Sequence, residues 1–305
     1  MRQLRVDYET RLVEEVVLRA VAGHPDEGEF RRVRDQLYEL GEADERDRAF
    51  CTFHGQWFER LGMCQPVEEA LAERPLVLAQ VRRCAVVRAR NKKEEGAELF
   101  VSPDPATGRA IGLQLRPESL LVPDQLLGFL RHEVLHLADM LDPAFGYEPA
   151  LKIPEEGMAH RMVQDRYRVL WDTTIDGRLT REGRAPDRVR QRRLLDFARA
   201  FPMLGAGAEE HFARFFDGTD LTHAQLVACA RDPVQALGLP QLVDRRCPLC
   251  TFPSYSFEPD PESLSPVLVR RIQEHFPAWR PAQGICRQCA DLYRGRQTAA
   301  VPATA

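Results

Sequence analysis

The sequence predicts an α+β protein that is mostly helical, with a small β-sheet packed on one chemically loaded helix and a small C-terminal module built around four cysteines. Three observations carry this. Apolar residues recur at three- and four-residue spacing over much of the 305-residue chain. Short apolar runs bounded by turn residues cluster between Pro75 and Leu115. Four of the eight cysteines stand as two Cys-x-x-Cys pairs near the C-terminus. The boundaries read as a helical region at 1–74, a domain holding the sheet and the loaded helix at 75–240, the cysteine module at 241–296, and a disordered tail at 297–305.

Composition narrows the class more than the function. A chain of this length with 44% hydrophobic residues has enough apolar material for a substantial core. Lys+Arg 42 against Asp+Glu 46 leaves a net charge of −4, which gives the whole molecule no electrostatic bias toward nucleic acid or anionic lipid. Charges at Arg2, Arg5, Asp7, Glu9 and Arg11 interrupt the N-terminus, so no signal-peptide core is expected there. No run approaches ~20 apolar residues, so no membrane contact is expected and the address implied is cytoplasmic.

From Tyr8 to about Glu73 the pattern is helical, with Leu12, Val16, Val17 and Ala20 on one face and Phe50, Phe53, Trp57, Phe58 and Leu61 as packing aromatics of a second helix, for which Asp44 is the expected N-cap. After Pro75 the runs 76–81, 85–89, 97–101 and 110–115 read as extended, and the turn chemistry of residues 102–108 predicts that the last two pair as a hairpin. A helix follows from Pro123-Asp124, with Asp124 as its cap, to about Leu141. Another is expected from about Pro154 toward Leu179. Shorter ones follow at Val189 to Phe201, Ala208 to Phe216, Thr222 to Ala230 and Ser265 to His275.

The helix after Pro123 carries His132-Glu133-Val134-Leu135-His136. Histidines four residues apart lie one above the other on a helix face, so their ring nitrogens can converge on one ion, and the neighbouring Glu133 is placed to take a proton from a water. Zinc suits this donor set because it accepts imidazole in a tetrahedral site and acidifies water. A catalytic zinc needs a third protein ligand. Asp172 is favoured, with Asp176 one turn on fixing a ligand histidine through its second N–H; Asp142 and His160 are the alternatives. The competing reading pairs Asp172 and Asp176 with Arg166, Arg168, Arg178 or Arg181. Tyr147, Tyr167 and His160 are candidates to stabilise an oxyanion, and spacing does not select among them.

The stretch from His132 to His136 with its downstream acidic helix resembles the zincin metallopeptidases. The Asp172 and Asp176 pair is similar to the acidic ligand helix of the gluzincin branch, with Asp for Glu. The strand, loop and motif-helix layout with a later cysteine module is also similar to the SprT-like family. The resemblance implies a small sheet packed on the motif helix, peptide-bond cleavage and Glu133 as general base. Two departures stand out: Asp139 occupies the position, three residues after the second histidine, where enzymes that use a ligand from beyond the helix carry Gly, and the His-Gly-x-x-Phe type segment of SprT-like proteins is absent. The last strand of the hairpin, Ala110 to Leu115, is expected to be the edge that holds an extended peptide.

Cys247-Pro248-Leu249-Cys250 and Cys286-Arg287-Gln288-Cys289 are two thiolate knuckles, and four thiolates make a closed tetrahedral site, so a structural zinc is expected beside the catalytic one. The arrangement looks like a zinc ribbon or treble clef. Tyr255, Phe257, Arg270, Arg271, Arg287 and Arg294 would suit nucleic acid, while Glu258, Asp260, Glu262, Glu274 and Asp291 dilute the field, so the module reads as a protein contact or a stabiliser. The basic run from Arg178 to Arg199 reads as a solvated helix face. The leading expectation is a zinc-dependent metallopeptidase acting on a protein or peptide substrate. The alternatives are a non-enzymatic zinc-stabilised adaptor binding protein or nucleic acid, and another zinc-dependent amide hydrolase.

Overall fold

The first ordered element is a strand that the helical texture of the N-terminus concealed. Arg5–Tyr8 (β1) is only four residues long and alternates too briefly to announce itself, but it pairs in parallel with a later strand. Five helices follow: Thr10–Val21 (α1), Glu27–Leu37 (α2), Ala43–Arg60 (α3), Gln65–Ala72 (α4) and Pro75–Gln80 (α5). The structure is a computed structural model and describes residues 4–102, 108–148, 158–239, 246–251, 254 and 256–298.

α5 corrects one expectation. The sequence makes the run from Leu76 extended, yet it is helical up to Gln80, and the strand starts at Val81. An unbroken apolar run has no period that distinguishes strand from helix. Here Pro75 in the first turn, with φ already near the helical value, tips the balance. α3 likewise starts one residue before Asp44, with Glu42 at its N-cap.

The sheet adds Val81–Arg88 (β2), Gly96–Val101 (β3) and Arg109–Leu115 (β4) in the order β1-β2-β4-β3. β1 and β4 both run parallel to β2, and β3 is the antiparallel partner of β4, Leu99 opposite Ile111. The hairpin is therefore present; its turn at 103–107 lies outside the described residues. The expected edge is wrong. β4 is interior, paired with β2 on one side and β3 on the other, and its Ile111, Leu113 and Leu115 are buried; β3, with Phe100 and Val101 exposed, is one edge and β1 the other.

After Pro117–Leu120 (α6) comes Pro123–Leu141 (α7), the motif helix, which starts at Pro123 with Asp124 in its first turn instead of at the cap. Leu126, Leu130, Val134, Leu137 and Leu141 bury one side of α7 in the same core as Leu12, Val16, Trp57, Phe58, Leu71, Val86 and Leu113. The N-terminal helices, the sheet and α7 thus share one hydrophobic interior. Leaving Leu130, fully buried, exposed to water would cost about 2 kcal/mol. That burial holds the motif helix still.

Met158–Arg181 (α8) is the acidic helix; the approach to it, residues 149–157, lies outside the described residues. Val189–Ala200 (α9), Ala208–Phe216 (α10), His223–Arg231 (α11), Pro233–Ala236 (α12), Pro266–His275 (α13) and Arg287–Thr298 (α14) follow. α11 opens with a capping box between Thr222 and Gln225, and Ser265 caps α13. α14 runs through Gln297 and Thr298, the first two residues of the expected tail. The chain groups into two compact units, residues 1–149 with 175–189 and residues 150–174 with 190–305, so α8 is one continuous helix that contributes to both. The second unit contains a ring cluster of Phe197, Phe201, Phe212, Phe215 and Phe216, and a separate small core around the cysteines. Among the described residues no helix is long and apolar enough to cross a membrane.

One buried base in the first unit has a pH consequence. His54 on α3 is 4% exposed among the rings of Phe30, Phe50 and Phe53, and its Nε2 has no hydrogen-bond partner among the described residues. Burial pushes its pKa down, with Glu14 opposing and Arg34 reinforcing. The unfolded chain therefore binds this proton more readily, so stability is full above the ordinary value near 6.5 and is lost as pH falls below it. His54→Leu is expected to flatten the fall of Tm between about pH 7.5 and 5. Identical acid limbs in wild type and variant would remove this explanation.

Candidate metal centres

Burying the apolar stripe of α7 leaves His132, Glu133 and His136 half-buried on its flank. The one-turn spacing does what it should: the Nε2 atoms of the two histidines are 3.1 Å apart. His132 Nδ1 lies 2.8 Å from Oδ1 of Asp176, which is 2% exposed. An ionised carboxylate only accepts, so His132 Nδ1 carries a proton, and in the neutral ring this leaves the lone pair of Nε2 facing His136. Two such nitrogens face to face need a proton or a cation between them.

Asp172 stands one turn before Asp176 on α8. Asp172 Oδ2 accepts a hydrogen bond from Arg193 Nη1 on α9 at 3.0 Å, a partner that no local spacing reveals because it comes 21 residues later. Glu133, beside the first histidine, accepts at Oε2 from the backbone N–H of Ala97 at 3.1 Å, which ties it to the start of the edge strand β3.

The other candidates go elsewhere. Asp142 closes the turn after α7, accepting from the Ala144 N–H at 2.8 Å. His160 is on the first turn of α8. Tyr167 pairs with His223 Nδ1 at 2.7 Å, both side chains buried, and burial pushes the Tyr147 phenol up. Of the expected arginine partners, Arg166 bonds the Ala200 carbonyl, Arg168 pairs with Asp165, and Arg178 takes Asp139. The basic run is largely committed: Arg184 to Glu182, Arg190 to Asp217, Arg193 to Asp172.

The four cysteines are brought together, Cys247 and Cys250 from one turn, Cys286 from the residue before α14 and Cys289 from its first turn, with all Sγ atoms within 4.8 Å. The first knuckle ends in Thr251, whose N–H returns to the Cys247 carbonyl at 2.8 Å with a left-handed φ of 60°. The second is pinned by backbone bonds on either side of Cys286, Glu258 N–H to Ile285 O and Arg287 N–H to Ser256 O. The cluster can hold a metal ion. Sγ of Cys247 accepts from the Cys286 N–H, and Sγ of Cys286 accepts from the Cys289 N–H, both at 3.4 Å. Hydrogen bonds from the Cys286 and Cys289 thiols push the Cys247 thiol down, and the same contacts push Cys286 up to about 11 and Cys289 up as well. One thiolate is easy here; four need a cation. Arg294, a candidate for nucleic acid, pairs with Glu258 and Asp291, and Tyr255 lies outside the described residues.

No protein-family model matches the chain, and no curated protein or solved structure matches it either. The functional reading therefore rests on the two centres themselves.

Proposed function

We propose that this protein is a zinc-dependent hydrolase of peptide bonds, with a working zinc on His132, His136 and Asp172 and a second, purely structural zinc on Cys247, Cys250, Cys286 and Cys289. The observation that carries it is the pair of Nε2 atoms 3.1 Å apart, one of them oriented by Asp176 through its other nitrogen. Two nitrogens each about 2.1 Å from one tetrahedral zinc stand about 3.4 Å apart, close to what is seen. Four sulfurs at about 2.3 Å stand about 3.8 Å apart. The Cys250 and Cys286 sulfurs are at 3.9 Å.

A zinc held by three protein side chains supplies a Lewis acid that polarises a carbonyl and acidifies water. Glu133 takes the proton as the water oxygen adds to the carbonyl carbon, then returns it to the nitrogen as the C–N bond breaks. Asp176 keeps His132 in the tautomer that donates a lone pair. The exposed β3 edge, beginning where Ala97 meets Glu133, offers backbone groups to an extended peptide, which makes an unfolded or extended protein segment the favoured substrate.

Elemental analysis of wild type, His132→Ala and Cys247→Ala is the test. About two zincs in wild type, falling to about one in either variant, supports two independent centres. A single zinc untouched by His132→Ala sinks the hydrolase and leaves a zinc-stabilised interaction module.

A further inference from the structure

We propose that Asp139 and Arg178 form a positioning clamp that locks the motif helix α7 to the acidic helix α8, so that His132 and Asp176 meet at hydrogen-bond distance and the metal site is assembled before any metal arrives. This deepens the hydrolase reading and rests on it. Asp139 follows His136 by three residues, on the same stripe of α7 as the two histidines. It is a buried carboxylate, 3% exposed, in a position where nothing in the hydrolytic chemistry calls for one. Arg178 stands two residues beyond Asp176 and reaches Asp139 fork to fork, Nη1 to Oδ1 at 2.7 Å and Nη2 to Oδ2 at 2.5 Å.

A bidentate guanidinium–carboxylate pair fixes angle as well as distance, which a single contact cannot do. Its partial burial shields it from salt and water. α7 buries its apolar stripe in the core, and two polar contacts join it to α8: His132 to Asp176 and, beyond it, this fork. Because α8 is continuous, setting Asp176 also sets Asp172 one turn earlier. The clamp also accounts for the departure at position 139. A chain that takes its third ligand from α8 has no use for a glycine turn after the second histidine, and a carboxylate there can instead engage the helix that brings the ligand.

Removing only one partner would strand a buried charge, so the informative variant is the neutral pair Asp139→Asn with Arg178→Gln, with Arg178→Lys as the conservative control that keeps charge and loses the fork. Two readouts are taken on the full chain: zinc retained at the histidine site against increasing chelator, with the cysteine site as internal reference, and, in metal-free protein, the downfield proton resonance of His132 Nδ1–H, assigned by its loss in His132→Gln. The neutral pair is expected to weaken zinc at the histidine site at least about tenfold and to lose the resonance, with the cysteine site and thermal melt unchanged and Arg178→Lys intermediate. Unchanged affinity and a persisting resonance in the neutral pair overturn the clamp. If wild type holds zinc only at the cysteines, the hydrolase reading falls and the resonance alone decides: its loss in the neutral pair upholds the clamp, and its survival removes it.

Discussion

Glu133→Gln is expected to retain both metals and the fold while lowering kcat on a cleaved peptide by about 10²–10⁴-fold, the range assigned to a positioned general base. Gln is nearly isosteric with Glu, and its amide oxygen can still accept the Ala97 N–H, so the tie between α7 and β3 survives. What it loses is basicity: it cannot take the proton of the attacking water or hand it to the leaving nitrogen. KM should change little, because the residue contributes to the transition state more than to binding. The measurement is mass-spectrometric turnover of an unstructured protein substrate, with zinc content in parallel. Equal turnover in wild type and variant would exclude Glu133 as the base, and a variant that loses zinc would reassign it as a support for the metal site.

Withdrawing the metal from the cysteine centre should unfold its module. The core there is small, Leu264, Leu268, Ile272, Trp279, Ile285 and Tyr293 around the sulfurs, with few apolar side chains to oppose the entropy of ordering some fifty residues. Structural zinc in comparable small modules contributes on the order of 10–16 kcal/mol, which is more than such a core supplies alone. Strong chelator, or Cys286→Ser, is expected to expose residues 246–298 to limited proteolysis while the first unit stays resistant. Protons compete with the metal for thiolate, so the module's metal affinity should fall as pH falls. A module that stays resistant to protease after verified metal removal would show that its apolar core suffices.

The motif helix was legible because both of its signals are local. An apolar stripe every three or four residues from Leu126 to Leu141 makes the helix, and the four-residue spacing of His132 and His136 puts both rings on one flank of it. The cysteine knuckles, the hairpin of β3 with β4 and the caps at Thr222 and Ser265 are local in the same sense, each set by residues within a short span. α5 and β1 were misread because an unbroken apolar run and a four-residue strand carry no periodicity to read.

Strand order is another kind of quantity. Alternation in Ala110 to Leu115 shows that one face is buried but says nothing of which neighbours flank it, and only the parallel pairing with β2 makes β4 interior and leaves β3 at an edge. Side-chain partners across long separations belong with it. Arg193 finds Asp172, Arg178 finds Asp139 and Tyr167 finds His223, and in each case the choice among many equally charged or polar residues is made by packing. The sequence alone determined which helix would carry the histidines, which cysteines would cluster and that the chain would be mostly helical, since propensity, periodicity and short spacing act within a few residues. Tertiary structure decided which strands lie at the edges, which carboxylate meets His132 and which arginine reaches Asp139, because those outcomes depend on how distant surfaces bury one another.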